Sequence, residues 1–451
     1  MKKYNYMMRV MACLLFCIAY SGSAFSLWPF GPKKIKDKHP SEPTFDEYNQ
    51  PDVKRRPVLD KAPKKEDEVS VERLEMLAKN GNPNAMLALG KMYFDGLAGL
   101  KQNYKKAYKL FEQAADLGNG VAMFNIGLCY DGGFHVKKNA KTAMEWYIKA
   151  ADLDVPEAQA KVAAISEANG DFNTALYYLK LRADTGDIYS MRKTALFILN
   201  GMGKPEEPSL AVEYLKRASA KGDTRSQVRL ADCYQRGLGT ERNYEEMLNW
   251  LTIASQDGDP EAQAKLGYCY LNGIGVVKNT DIAARWFSLS AKAGYPPAQV
   301  AIGDCYMKGN GVPCDVTTAT EYYRLAAEQG DSVGEASLAF AYLEGNGVKK
   351  DVQKAFDFMK KAASKGLPQA QTQMGIFHEE GIGTQKDYVE AVRCYRAAGD
   401  EPIALERLGI CLALGRGVTK DLKAAKEALQ KAIGLGNNDA KVSYHKLFDK
   451  Q

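Results

Sequence analysis

The chain is poor in the residues that most often carry chemistry. Its four His (His39, His135, His378 and His445) are scattered over 451 residues, none beside another. His378-Glu379-Glu380 lacks the second His of a zinc-binding helix. Nine Cys are too dilute for a disulfide-stapled scaffold. No apolar run reaches the ~20 residues of a membrane-spanning helix. No Asn-x-Ser/Thr glycosylation site occurs, which disfavours a eukaryotic secretory origin. The folded part also lacks charge of one sign. The net charge is +6, but residues 1–26 carry Lys2, Lys3 and Arg9, and residues 27–65 carry ten basic against six acidic side chains. This leaves −1 over residues 66–451, and so no basic footprint for nucleic acid. A mean hydropathy of −0.37 with 45% hydrophobic residues excludes a wholly disordered chain and a polytopic membrane protein.

Catalytic motifs fail on inspection. Ser190–Lys193 and Ser443–Lys446 match Ser-x-x-Lys, but the Ser-Asp-Asn and Lys-Thr-Gly elements of a penicillin-recognising enzyme are missing. Several Gly-x-Gly pairs continue neither to a third Gly nor to Gly-Lys-Ser/Thr, so they are not phosphate cradles. No catalytic, cofactor-binding or metal-binding residue is predicted.

The first 26 residues have three parts. Met1–Arg9 is short and basic, Val10–Tyr20 is apolar, and Ser21-Gly22-Ser23-Ala24-Phe25-Ser26 supplies small residues. This predicts a secretory signal peptide cleaved after Ala24 or Ser26, and a bacterial exported protein, periplasmic or secreted. Phe16 before Cys17 argues against a lipobox. Residues 27–67 follow with seven Pro among mixed charges, which predicts an extended tether. A second reading of the tether is contact with an anionic envelope surface through Lys33, Lys34, Lys36 and Lys38.

From residue 85 onward one unit recurs. Ala85, Ala122, Ala158, Ser190, Ser226, Ala262, Ala298, Gly334, Ala370, Ala404 and Ala440 begin equivalent segments, mostly 36 residues apart. Counted from that residue as offset 0, small residues at 0 and 5 and larger apolar ones at 4, 7 and 8 share a helical face. Gly at offsets 11 and 13, as in Gly273/Gly275, ends the helix and permits a positive-φ loop. Asn or Asp at offset 17 (Asn139, Asn243, Asn279, Asp315, Asp351, Asp387 and Asp421) predicts the N-cap of a second helix. The third unit is shorter, with Asn169-Gly170-Asp171 in place of the long loop, and predicts a change of pitch or a hinge. A helix near 69–80 and a segment from Ala440 would cap the array. The fold class is all-α: a right-handed α/α superhelical solenoid of about ten helix-loop-helix repeats, over residues 68–451.

These residues resemble the Sel-one-like repeat family, a branch of the tetratricopeptide superfamily marked by its longer Gly-x-Gly loop. The resemblance covers residues 85–440. The cysteine-rich branch of that family staples each repeat with a Cys pair, whereas this chain places single Cys (Cys129, Cys233, Cys269, Cys305 and Cys411) at offset 7. Equivalent atoms in neighbouring repeats lie about 10 Å apart, beyond the ~7 Å a disulfide tolerates, so these read as core residues. Cys394 with Cys411 is left open as one pair. Arrays of this superfamily line a concave face with offsets 2, 6, 9 and 10 of the first helices. Those offsets implicate Asp232, Gln235, Tyr268, Leu271, Asp304, Met307, Phe340 and Leu343, with Val228 and Val300 at offset 2. The alternative is that offset 9 packs against the next repeat. The function implied is a non-catalytic exported scaffold that binds a protein or peptide, in envelope-complex assembly, regulation of cell-wall enzymes or host-protein contact. An enzyme acting on cell-wall material is the alternative.

Overall fold

The computed structural model describes residues 70–448; the predicted signal segment, the tether and its lysines lie outside them. Among the described residues there are 22 α-helices and no strand. A leading helix, α1 (Val71–Lys79), precedes the first repeat. The next four repeats pair α2 (Pro83–Asp95) with α3 (Tyr104–Asp116), α4 (Gly120–Gly132) with α5 (Ala140–Ala151), α6 (Pro156–Ala168) with α7 (Phe172–Asp184), and α8 (Ile188–Leu199) with α9 (Pro208–Ala220). Helices α10 (Thr224–Arg236) and α11 (Tyr244–Gln256) follow in the chain, and then α12 (Pro260–Asn272) pairs with α13 (Thr280–Lys292) and α14 (Pro296–Lys308) with α15 (Val316–Glu328). The last three pair α16 (Ser332–Glu344) with α17 (Val352–Ser364), α18 (Pro368–Glu380) with α19 (Tyr388–Ala397), and α20 (Pro402–Leu414) with α21 (Leu422–Gly434). Helix α22 (Asn438–Phe448) closes the array. Repeated helix pairs with a further helix at either end are the repeat solenoid expected from the sequence.

The described residues fall into two compact units, Ser70–Asn243 and Tyr244–Phe448. The division lies between α10 and α11. It does not coincide with the short third repeat, where a hinge was expected. There α6 packs on α7, and α7 on α8, as in the longer repeats, because Asp171 caps α7 through the Thr174 amide and Gly170 turns the chain at φ 79°.

Local chemistry explains each boundary. The second helices start where predicted: the side chains of Asn139, Asn279, Asp315, Asp351, Asp387 and Asp421 accept from backbone amides of the first turn. First helices carry Pro at N1 in six repeats, among them Pro260 and Pro296, where a missing N–H costs nothing. The first helices end on left-handed Gly such as Gly273, φ 72°.

Two devices join the helices. At offset 5, Gly127, Gly303 and Gly375 leave room for the rings of Tyr147, Tyr323 and Tyr395 on the second helix; a Cβ on any of them would stand 2.3–2.6 Å from that ring. Where offset 5 is Ala (Ala195, Ala339), the same second-helix position holds Leu215 or Met359. Small-plus-ring and Ala-plus-aliphatic pairs fill the same space. At offset 1, Gln159, Gln227, Gln263 and Gln299 are buried, and each donates from Nε2 to a carbonyl at the end of the preceding second helix, at 3.2–3.4 Å. Each of these carbonyls also accepts a backbone amide of the following turn, so the glutamine adds a second bond to it and stitches one repeat to the next.

The offset-7 cysteines are core residues, all of them at most 3% exposed. Burial pushes the Cys129 and Cys305 thiols up to about 12 and that of Cys411 to about 11, so they stay protonated at neutral pH. Cys394 and Cys411 are free thiols, which closes the pairing left open by the sequence. They face different layers: Cys394 packs with Leu343, Met374 and Phe377, while Cys411 is buried with Ala391, Val392 and Tyr395.

Candidate functional site: the first-helix face

First helices of consecutive repeats pack directly on each other, α14 on α16, α18 on α20 and α20 on α22, and no consecutive second helices pack to a comparable degree. The side on which successive helices approach more closely is the inside of the local curve. The first-helix face is therefore the concave one within the second unit.

Helix geometry sorts its residues. At about 100° per residue, offsets 3, 6 and 10 fall between about 240° and 300°, whereas offsets 2 and 9 fall near 180–200°. Offsets 2 and 9 thus lean toward the adjoining repeat. Val228 and Val300, at offset 2, are buried, which removes them from the expected surface. Leu343, at offset 9, is buried against Met374 and Phe377 of α18. Gln235, Leu271 and Met307, also at offset 9, stay half-buried. Leu271 packs beside Tyr268 and Phe287, and Met307 beside Val300 and Tyr323.

The offset-6 residues form the accessible row. Tyr268, Asp304 and Phe340 are half-buried in consecutive repeats of the second unit. Tyr268 meets Phe287 edge-on at 4.8 Å, and Phe340 packs on the cluster around Met359 and Met374. Asp304 accepts a 2.6 Å hydrogen bond from the Tyr323 hydroxyl. Its carboxyl is pushed up by burial, against which the Lys308 charge and the Tyr323 bond act. In the first unit Asp232 pairs with Arg229 at 3.2 Å, so it is already engaged.

Sequence reasoning missed two groups here. Ile376 and Ile410 continue the offset-6 row, half-buried, and the repeat register alone could have found them. Offset 3 also faces this surface and supplies its cations: Lys161, Lys193 and Arg407 bridge back to Asp131, Glu167 and Glu379 at offset 9 of the preceding repeat, at 3.3, 2.8 and 3.4 Å. A helical wheel would have shown it.

Two concavities of about 620 and 550 Å³ lie elsewhere, around the loop Val418–Leu422 and along α15 beside Tyr342 and Val348. Neither takes in the offset-6 row. Among the described residues no cluster of three or more His, Cys, Asp or Glu could hold a metal ion, and no helix is long and apolar enough to cross a membrane. His378 packs edge-on against Phe356 at 5.7 Å, as its Tyr-equivalent register predicted.

Comparison with known proteins fits this geometry. The chain is similar to a protective antigen of uropathogenic Escherichia coli with an SLR fold: 30% identity, 84% of this chain and 83% of that chain, TM-score 0.55. It is also similar to a Sel1 repeat protein from Oxalobacter formigenes: 27% identity, 69% of this chain and 92% of that one, TM-score 0.58. Among curated proteins it is 29% identical over 100 residues to chitin synthase regulatory factor 3 of Schizosaccharomyces pombe. It is 37% identical over 68 residues to the ERAD-associated E3 ubiquitin-protein ligase component HRD3A of Arabidopsis thaliana. The chain spans only 11% and 10% of those two relatives, and they cover 20% and 15% of it. The Sel1 repeat matches nine segments: 83–119, 120–155, 188–223, 224–259, 260–295, 296–331, 332–367, 368–401 and 402–437. The gap at 156–187 is the short third repeat. With more than half of its length matched, the chain belongs to the Sel1 repeat family.

Proposed function

We propose that this protein is a non-catalytic exported scaffold that binds a protein or peptide through its first-helix face. The observation that carries this is the offset-6 row. The first helices bury most of their surface, yet Tyr268, Phe340, Ile376 and Ile410 stay half-exposed, with polar groups at offsets 3 and 10 around them. An apolar, aromatic strip rimmed by polar side chains is the composition of a peptide-binding surface. The relatives support a scaffold role: one is named a regulatory factor for an enzyme and another a component of a multi-part ligase. Export rests on the layout of residues 1–26.

A photo-crosslinking residue placed at Phe340 or Ile376 in the native cell should capture one discrete partner. The same residue at Tyr177, exposed on the second-helix side, should not. Capture from Tyr177 alone would move the site off this face. Fractionation and the mass of the mature chain test export, which predicts a new N-terminus at Phe25 or Leu27.

A further inference from the structure

One structural device occurs three times along the first helices, and once it is incomplete. On α4, Asp131 accepts from the Tyr147 hydroxyl at 3.3 Å and pairs with Lys161 of the next first helix at 3.3 Å. On α18, Glu379 accepts from Tyr395 at 2.6 Å and pairs with Arg407 of the next first helix at 3.4 Å. On α14, Asp304 stands one turn earlier but takes the equivalent tyrosine, Tyr323, at 2.6 Å. Here the cation is missing. The next first helix holds Ser337 where the others hold Lys161 and Arg407, and α14 itself holds Ala301 where α10 has Arg229. No described Lys or Arg forms an ion pair with Asp304; Lys308, one turn along α14, reaches it only through its field.

The neighbours of Asp304 point to what would complete the set. Tyr268 precedes it and Phe340 follows it at the same offset, both half-buried. The Asp304 charge is felt at the Tyr268 phenol, as is that of Asp331, the N-cap of α16. The site therefore combines a desolvated carboxylate, small residues at both cation positions and an aromatic ring in each adjoining repeat. Such a set complements an ammonium or guanidinium group, which gains a charge-assisted bond and ring-face attraction together.

We infer that Asp304, between Tyr268 and Phe340, receives a Lys or Arg side chain from an apolar segment of the partner. This rests on the concave-face reading above and adds the chemistry of the ligand to it.

The test uses the full chain and a phage-displayed library of random peptides. Peptides selected on the wild type should share one Lys or Arg between apolar residues. A synthetic copy should bind at least about tenfold tighter than its version with Gln at that position, the scale for losing one partner of a desolvated charge pair. Asp304→Asn keeps an acceptor for Tyr323 and should erase that difference. Ser337→Arg supplies the missing cation and should weaken the basic peptide while leaving the Gln version unchanged. Circular dichroism confirms that both variants fold. Selected peptides without a basic position, or a preference that survives Asp304→Asn, would overturn the inference. If such peptides were still lost on Tyr268→Ser with Phe340→Ser, the concave-face reading would stand alone. Binding indifferent to all four changes would remove both.

Discussion

At the scale of single residues, the second glycine of each loop is held by space as much as by conformation. Gly311 has φ 71°, and a Cβ there would lie 2.1 Å from the Thr280 carbonyl oxygen of the preceding second helix. Gly275 has φ 69°, but its Cβ would stand farther off, 2.9 Å from Tyr244 Cβ, 3.0 Å from Leu248 Cδ1 and 3.5 Å from the Tyr244 carbonyl oxygen. The Leu248 tip can yield and ordinary contact distance is nearly met at Gly275, whereas the Thr280 backbone at Gly311 cannot give way. Gly275→Val should cost about 1 kcal/mol or more, and Gly311→Val clearly more, read by thermal melting of both variants. Equal melting would show that the loop, not the inter-repeat contact, sets the requirement. Asp304 gives a second prediction. Its folded-state pKa is raised, so the folded state binds its proton more tightly than the unfolded chain does. Its favourable contribution is complete below the unfolded value and is lost as pH rises through the folded one. Asp304→Asn should therefore be at least as stable as wild type at pH 7, and the gap should close on acidification. Urea titrations at pH 7 and near pH 4 check the sign, and a variant markedly less stable at pH 7 would contradict it.

At the scale of the helix, two register positions on the same helix can be surface or core according to their angle. Tyr268 and Phe340 at offset 6 are half-buried, while Leu343 at offset 9 sits at 6% exposure in a layer with Met374 and Phe377. Leu343→Ala should cost about 2–5 kcal/mol as a core truncation. Phe340→Ser should cost less and weaken partner binding instead. Chemical denaturation and a binding assay on the two variants separate the roles. A Leu343→Ala protein of wild-type stability would place that side chain back on the surface. The offset-1 glutamines belong to this scale too. Gln299 recurs by position with the others, but its bond to the Ala291 carbonyl depends on where the preceding helix ends.

At the scale of the whole chain, equivalent faces recur, so a repeat should be removable. Deleting residues 262–297 joins Asp259-Pro260-Glu261 to Ala298, which rebuilds a first helix with its Asp cap and N1 proline. The product should remain helical and unfold cooperatively with reduced stability, as judged by circular dichroism on heating. Loss of the cooperative transition would mean that the repeats are not interchangeable.

What the sequence determined by itself was whatever depends on spacing along one helix or loop: the hairpins, the N-caps at Asn279 and Asp315, the left-handed Gly273 and the buried Cys ladder. These rest on local rules of period and backbone conformation, which repetition makes legible. The tertiary structure decided what depends on the meeting of two repeats. It buried Val300 and Leu343, and it set Gly311 against the Thr280 carbonyl. It kept Cys394 and Cys411 apart in separate layers and gave Asp131 and Glu379 their cations while leaving Asp304 with a hydroxyl. The rotation between neighbouring helices chooses these contacts, and a single-helix period does not contain it.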